Sequence, residues 1–212
     1  MNNKELKDLL LLSIAKELTV YGFVLNKSLA EFTKKNSEGW HKFQLIFLSR
    51  DKGWEINPGM LIRKNLVEDI FHKDSFFEAK YHKTTPTIGV TIQKWKNYEK
   101  SYRFDLNSES DVSFCLESLL DIFHQIVEPF FQQFTKIPEI ERVVNDKSWS
   151  YDKEEMFGGP MYRGSLGMIL AKLTNNPDYN FFKDKYLGYY KWFADGFYLP
   201  EYNAVLDVLD SM

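Results

Sequence analysis

The chain has 212 residues, 44% of them apolar and 27% charged, with a net charge of -3. A chain of that length can bury roughly 70% of the surface its unfolded form exposes, and the balance is that of an ordinary globule, with no internal repeat or low-complexity tract. The single cysteine, Cys115, excludes an internal disulfide.

Aromatic residues reach 17%, with 18 Phe and 12 Tyr. Most must fill the core, because aromatic rings are the largest apolar units available, and the surplus is left for a surface. Charge is uneven along the chain. Residues 1–106 hold 18 Lys/Arg and 13 Asp/Glu, whereas residues 107–212 hold 9 and 17. Such a split reads first as solvated surface; the alternatives are that it helps the halves dock, favours self-association, or gives the first half an attraction for an acidic partner. The apolar run Leu9–Leu12 is flanked by Lys4, Glu5, Lys7, Asp8, Lys16 and Glu17. It fits neither a signal peptide nor a membrane span, so a cytoplasmic protein with no membrane contact is expected.

In chain order, Lys4–Thr19 predicts an amphipathic helix, with Leu6, Leu9, Leu10, Ile14 and Leu18 on one side. Short strands follow at Tyr21–Leu25 and Ala30–Lys34. A long one, Trp40–Ser49, is apolar on both faces as a central strand is. Asp51-Lys52-Gly53 turns the chain into a further strand, where Pro58-Gly59 suggests a bulge or an edge. Asn65–Lys73 reads as a short helix. Thr87–Lys94 and Ser101–Leu106 alternate as strands, joined by a hairpin loop from Trp95 to Lys100.

Near Asn107 the apolar period lengthens from two to between three and four, which marks helices. Ser108 with Asp111 resembles a capping box opening a helix that Pro129 should kink or split. A second helix opens at Pro138, a loop covers Asp146–Gly159, and three short helices carry Pro160, Pro177 and Pro200 near their first turns. The fold expected is α+β: an antiparallel sheet of about five or six strands packed against helices, with a helical C-terminal half. Residues 1–135 form the first part and residues 136–212 a helical extension.

No catalytic, metal or phosphate motif is complete. Gly158-Gly159-Pro160 lacks the preceding strand and the Lys-Ser/Thr pair of a phosphate loop. Gly164, Gly167 and Ala171 read better as a small-residue strip for helix packing. Glu68, Asp69 and His72 share a helical face but make only half a metal site, so no metal and no cofactor are expected. Cys115 lies on an apolar helix face, too far from His124 to be activated by it, and reads as core. Lys94, Trp95, Lys96, Tyr98 and Lys100 interleave cations and rings as single-strand nucleic-acid binders do. The pI of about 5.9 and the absence of a recognition signature weigh against that reading. The same loop suits a protein contact. Tyr179, Phe181, Phe182, Tyr186, Tyr189, Tyr190, Trp192 and Phe193 crowd the penultimate helix, with more rings than one core face can take.

The run of an opening helix into Tyr21-Gly22-Phe23, a long strand near Trp40, and Ile88-Gly89-Val90 leading to Trp95 resembles a bacterial family known as domain of unknown function 4304. Leu166-Gly167-Met168-Ile169-Leu170-Ala171 followed by Asn176-Pro177 adds to the likeness. The resemblance implies a bacterial cytoplasmic protein of the sort that accompanies toxin or defence systems. It supplies no catalytic residue.

The leading expectation is a non-enzymatic protein-binding module, immunity-type or defence-associated, contacting another protein or a second copy of itself through Trp95, Tyr98, Tyr189, Tyr190 and Trp192. The alternative is a small enzyme or ligand binder whose pocket, between sheet and helices, uses Arg163, Glu68, Asp69 and His72. A single-strand nucleic-acid binder is the third reading.

Overall fold

A computed structural model describes residues 1–148 and 160–212. The fold is α+β: a six-stranded antiparallel sheet with helices, and a helical C-terminal half. Two compact units share the chain, Met1–Ile62 with Gly89–Gln132 and Arg63–Ile88 with Gln133–Met212. Sequence order hides this division, because the segment from Arg63 to Ile88 joins the helical unit. It also redistributes charge: the first unit carries 13 basic and 14 acidic residues, the second 14 and 16. The imbalance along the chain therefore does not survive as a charge difference between the units.

In the first unit, helix α1 (Asn3–Leu18) opens on a reciprocal cap. The Asn2 side-chain oxygen accepts the Glu5 N–H at 3.0 Å, and the Glu5 carboxylate accepts the Asn2 N–H at 2.8 Å. Leu6, Leu10, Leu11, Ile14 and Leu18 are its buried face. Strands β1 (Val24–Asn26), β2 (Glu31–Asn36), β3 (Gly39–Arg50) and β4 (Gly53–Lys64) follow, β2 and β3 running from Glu31 opposite Gln44 to Asn36 opposite Gly39. Besides β3, strand β4 pairs with both β5 (Ile88–Thr91) and β6 (Phe104–Leu106). The start of β4 faces β6, Trp54 opposite Leu106, while a Cβ on Gly59 would stand 3.5 Å from the Val90 carbonyl oxygen of β5. Pro58 thus lies in an interior strand, where β4 changes neighbour, and not at a sheet edge.

The predicted strand Thr87–Lys94 stops at Thr91, whose hydroxyl accepts the Lys94 N–H and opens the one-turn helix α3 (Ile92–Trp95). Trp95 therefore ends a helical turn, and β5 and β6 form no hairpin with each other. At Ser108 the expected cap is present, its Asp111 carboxylate accepting the Asn107 and Ser108 N–H groups at 2.9 and 2.8 Å. These bonds hold the Asp111 carboxyl below its usual range. Helix α4 (Glu109–Ile122) passes through a π-turn, Phe123–Val127, into α5 (Glu128–Gln133). The Glu128 N–H reaches back to the Phe123 carbonyl, so the helix widens ahead of Pro129 rather than breaking there.

In the second unit, α2 (Asn65–Phe71), α6 (Ile137–Val144), α8 (Tyr179–Tyr190) and α9 (Leu199–Asp210) all pack on α7 (Pro160–Leu173). The small-residue strip explains the close approach of α8 and of the end of α6. A Cβ on Gly164 would fall 2.5 Å from the Tyr190 ring and 3.1 Å from the Tyr186 Cβ, and one on Gly167 2.6 Å from the Asn145 amide oxygen. Only bare backbone leaves room for those rings. Gly164→Ala is expected to lower stability by about 1–3 kcal/mol through overpacking, read from urea denaturation. A loss within the noise of the measurement would show that the rings yield freely.

Candidate functional site

The surface of the helical unit is built around the turn between α8 and α9. Helix α8 ends with Tyr189 and Tyr190, both in the core. The Tyr190 hydroxyl donates to the Met161 carbonyl at 2.8 Å and accepts the Gly164 N–H at 3.2 Å. The chain then passes through Ala194 and Asp195 in the left-handed region, at φ 48° and 52°, followed by Gly196 at 79°. For alanine and aspartate this costs roughly 1–2 kcal/mol each, because Cβ crowds the following carbonyl. Backbone strain of this kind concentrates at sites of function.

What the turn displays is a continuous chain of rings. Tyr189 stacks on Phe193 at 4.7 Å, Phe193 meets Tyr198 at 5.8 Å, Tyr198 meets Phe197 at 5.0 Å, and Phe197 meets Phe76 at 5.7 Å. Trp192 lies edge-on to Tyr189 at 5.2 Å. The inner members anchor the chain and the outer ones face solvent: Trp192 is 59% exposed, Phe197 63% and Phe76 53%.

Phe76 is fixed by a carboxyl from α9. Its N–H donates to Glu201 Oε2 at 2.7 Å, while Glu201 is 1% exposed and its Oε1 has no hydrogen-bond partner among the described residues. Burial raises the Glu201 pKa above the usual carboxyl range, against the lowering effects of the Phe76 N–H and of His72.

The base of the Phe76 loop is fastened by a second buried acid. Glu68 on α2 accepts the hydroxyls of Thr85 and Thr87 at 2.7 and 2.9 Å. Arg63 lies 3.6 Å from Glu68 and donates to the Thr85 carbonyl and hydroxyl at 2.9 and 3.0 Å. Burial lowers the Arg63 pKa, partly offset by Glu68 and Asp69. The two His72 ring nitrogens bond the Ser75 and Thr85 hydroxyls, each at 2.7 Å, and His82 stacks on His72 at 4.3 Å. Acid, imidazole and hydroxyl are all present, but not in the order of a nucleophilic triad. There the acid would hold the far imidazole nitrogen and leave the hydroxyl free to attack. Here Glu68 itself accepts the Thr85 O–H hydrogen bond, and these groups tie the segment after α2 back to its start.

The predicted site residues are dispersed. Of the ligand-binding set, Glu68 and His72 meet, 3.5 Å apart. Asp69 reaches Arg63 at 3.6 Å with most of its side chain in solvent. Arg163 stands elsewhere, its guanidinium donating to the Val143 and Val144 carbonyls at the end of α6, because those last carbonyls have no helical partner. The cation beside Glu68 is Arg63, which sequence spacing did not single out because it sits on a strand end.

Of the contact set, Trp192 and Tyr98 are exposed, Trp95 is half-buried edge-on to Phe130 at 5.1 Å, and Tyr189 and Tyr190 are core. The five rings therefore form no single surface, because α8 turns its last two tyrosines inward onto α7. Phe76 and Phe197, which do join Trp192, carried no periodic signal. In the basic loop, Lys96 pairs with Glu99 at 3.7 Å and Lys100 lies over the Tyr102 ring.

The first unit carries a groove of about 310 Å³ between α4 and the β6 end of the sheet, lined by Tyr102, Phe104, Phe114, Ile122 and Ile126, with Lys100 at its rim. It borders the π-turn, and no sequence pattern announced it. Cys115 on α4 is buried, and burial chiefly pushes its thiol up to about 11, away from the thiolate that a nucleophile needs. Among the described residues no three His, Cys, Asp or Glu side chains converge as metal ligands, and no helix is long and apolar enough to cross a membrane.

Two measurements probe the buried acids. Glu68→Ala leaves the buried Arg63 only the largely solvent-exposed Asp69 as a counter-charge and is expected to cost about 3–5 kcal/mol in urea denaturation. Folded Glu201 holds its proton more tightly than the unfolded chain does, so its ionisation penalty is absent below the ordinary value of 4.5 and complete above the raised one. Wild type should therefore gain stability relative to Glu201→Gln as the pH falls from 7 towards 4.5, and a flat difference would refute the assignment. No protein-family model, curated protein or solved structure matches this chain.

Proposed function

We propose that the chain is a non-enzymatic protein-binding module, and that its contact surface is the aromatic edge formed by Trp192, Phe197 and Phe76. One observation carries this reading: three large rings stand more than half exposed in one continuous ring chain, two of them, Trp192 and Phe197, on a turn held in a strained conformation. Exposed Trp and Phe on a rigid support give a partner large contact area at low ordering cost, and such residues dominate binding hot spots. The resemblance to domain of unknown function 4304 adds a bacterial cytoplasmic setting and an immunity-type or defence-associated partner to the proposal.

A second reading takes the groove beside the π-turn as the site, since π-turns recur at functional positions and the groove's volume suits a small ligand or a short peptide. Tagged full-length protein, purified from its native cells alongside Trp192→Ala, Phe197→Ala and Phe114→Ala, separates the two. A co-eluting protein lost with the first two variants and kept with the third is the expected result, with melting temperatures near wild type because all three side chains are exposed. Loss with Phe114→Ala alone would move the site to the groove, and an unchanged set of proteins in every sample would overturn both.

A further inference from the structure

Helix α1 is apolar on two opposite sides. At 100° per residue, Glu5, Leu9, Leu12 and Lys16 fall within a sector of about 60°, facing away from the buried residues Leu6, Leu10, Leu11, Ile14 and Leu18. Leu9 is 37% exposed and Leu12 55%, and Val20, just past the helix end, continues the apolar stripe. A helix that serves only to cover a sheet carries polar residues on that side.

The order of residues along the stripe identifies what covers it. Acid, leucine, leucine and base are spaced four, three and four apart, so the spacing reads the same in both directions while the charge reverses. We infer that a second copy of this chain docks here, the two α1 helices packing antiparallel about a two-fold axis midway between Leu9 and Leu12. In that register Leu9 of each copy meets Leu12 of the other, and Glu5 of each meets Lys16 of the other, giving two ion pairs by symmetry. A parallel arrangement would set Glu5 on Glu5 and Lys16 on Lys16. Both charges are available: among the described residues Lys16 forms no ion pair, and the single bond to Glu5 from the Asn2 N–H leaves its other carboxylate oxygen open. The neighbouring acid Asp8 is occupied by Lys27 at 2.8 Å.

One helix pair covers less than the ~1,200 Å² of the smaller stable complexes, so the dimer is weak and its population depends on concentration. Sedimentation velocity of the full chain should show reversible dimerisation as loading rises from about 10 to 500 µM, the range suited to an interface of this size. Leu12→Arg should abolish it with little change in melting temperature. Glu5→Lys and Lys16→Glu, each alone, should shift association to about tenfold higher concentration by turning two attractions into repulsions. An equimolar mixture of those two variants should associate at least as tightly as wild type, because each then meets its opposite charge.

Glu5→Lys also removes the helix cap, so the comparison of Lys16→Glu with wild type stands independently of it. A wild-type chain that stays monomeric throughout, a Lys16→Glu variant that associates like wild type, or a mixture no tighter than its components would each overturn the inference.

Discussion

The helical unit depends on how closely two tyrosine rings approach the backbone of α7. Gly164 and Gly167 leave α7 without side chains where Tyr186 and Tyr190 lie, and the ring hydroxyls then find partners there. Tyr186 donates to the Asn145 amide oxygen at 2.9 Å, and that amide in turn donates to the Gly167 carbonyl at 2.9 Å. In this relay from Tyr186 through Asn145 to Gly167 each polar group is bonded to the next, which is the condition under which polar groups rigidify a core instead of weakening it. Because α8 is fixed along its length, the turn that follows leaves it in one direction, and Trp192 and Phe197 are presented as a surface.

Two buried carboxyls complete that surface from the other side, and they differ in kind. Glu68 is saturated, with two hydroxyls and a guanidinium around it, and it closes the segment after α2 into a loop. Glu201 is undersatisfied, with one oxygen bonded to the Phe76 N–H and the other alone. The first contributes permanence and the second a dependence on protonation, since an ionised carboxylate with an empty lone-pair site is costly in an apolar surrounding. Phe76 is positioned by both acids, although it lies far in sequence from the turn whose rings it joins.

Much of the fold was legible because it follows periodicity. The period change at Asn107, the buried stripe of α4 and the small residues of α7 each report one face of one element, which local spacing encodes directly. The early end of β5 was harder to see, because a single Thr91 side-chain bond decided it against an alternation that ran on to Lys94. The π-turn was hidden because Pro129 announces a defect in the helix without specifying its form.

The site was less legible than the fold for a related reason. Tyr189 and Tyr190 looked surplus because α8 carries rings at nearly every angle, yet α7 and α9 leave room for them on two sides. Arg63 and Arg163 are chemically identical in the sequence. Only the path of the chain decides that one faces Glu68 and the other the open carbonyls of α6. Contacts of that range have no local signature.

If the chain binds a protein as proposed, the left-handed run at Ala194 and Asp195 bears on how fast that partner docks. A turn already locked in an unfavourable backbone conformation has few others to visit, so Trp192 and Phe197 are held in place before any encounter. A partner arriving there would lose little time waiting for the loop to rearrange, and complexes formed on such a rigid edge should differ among themselves mainly in how slowly they come apart.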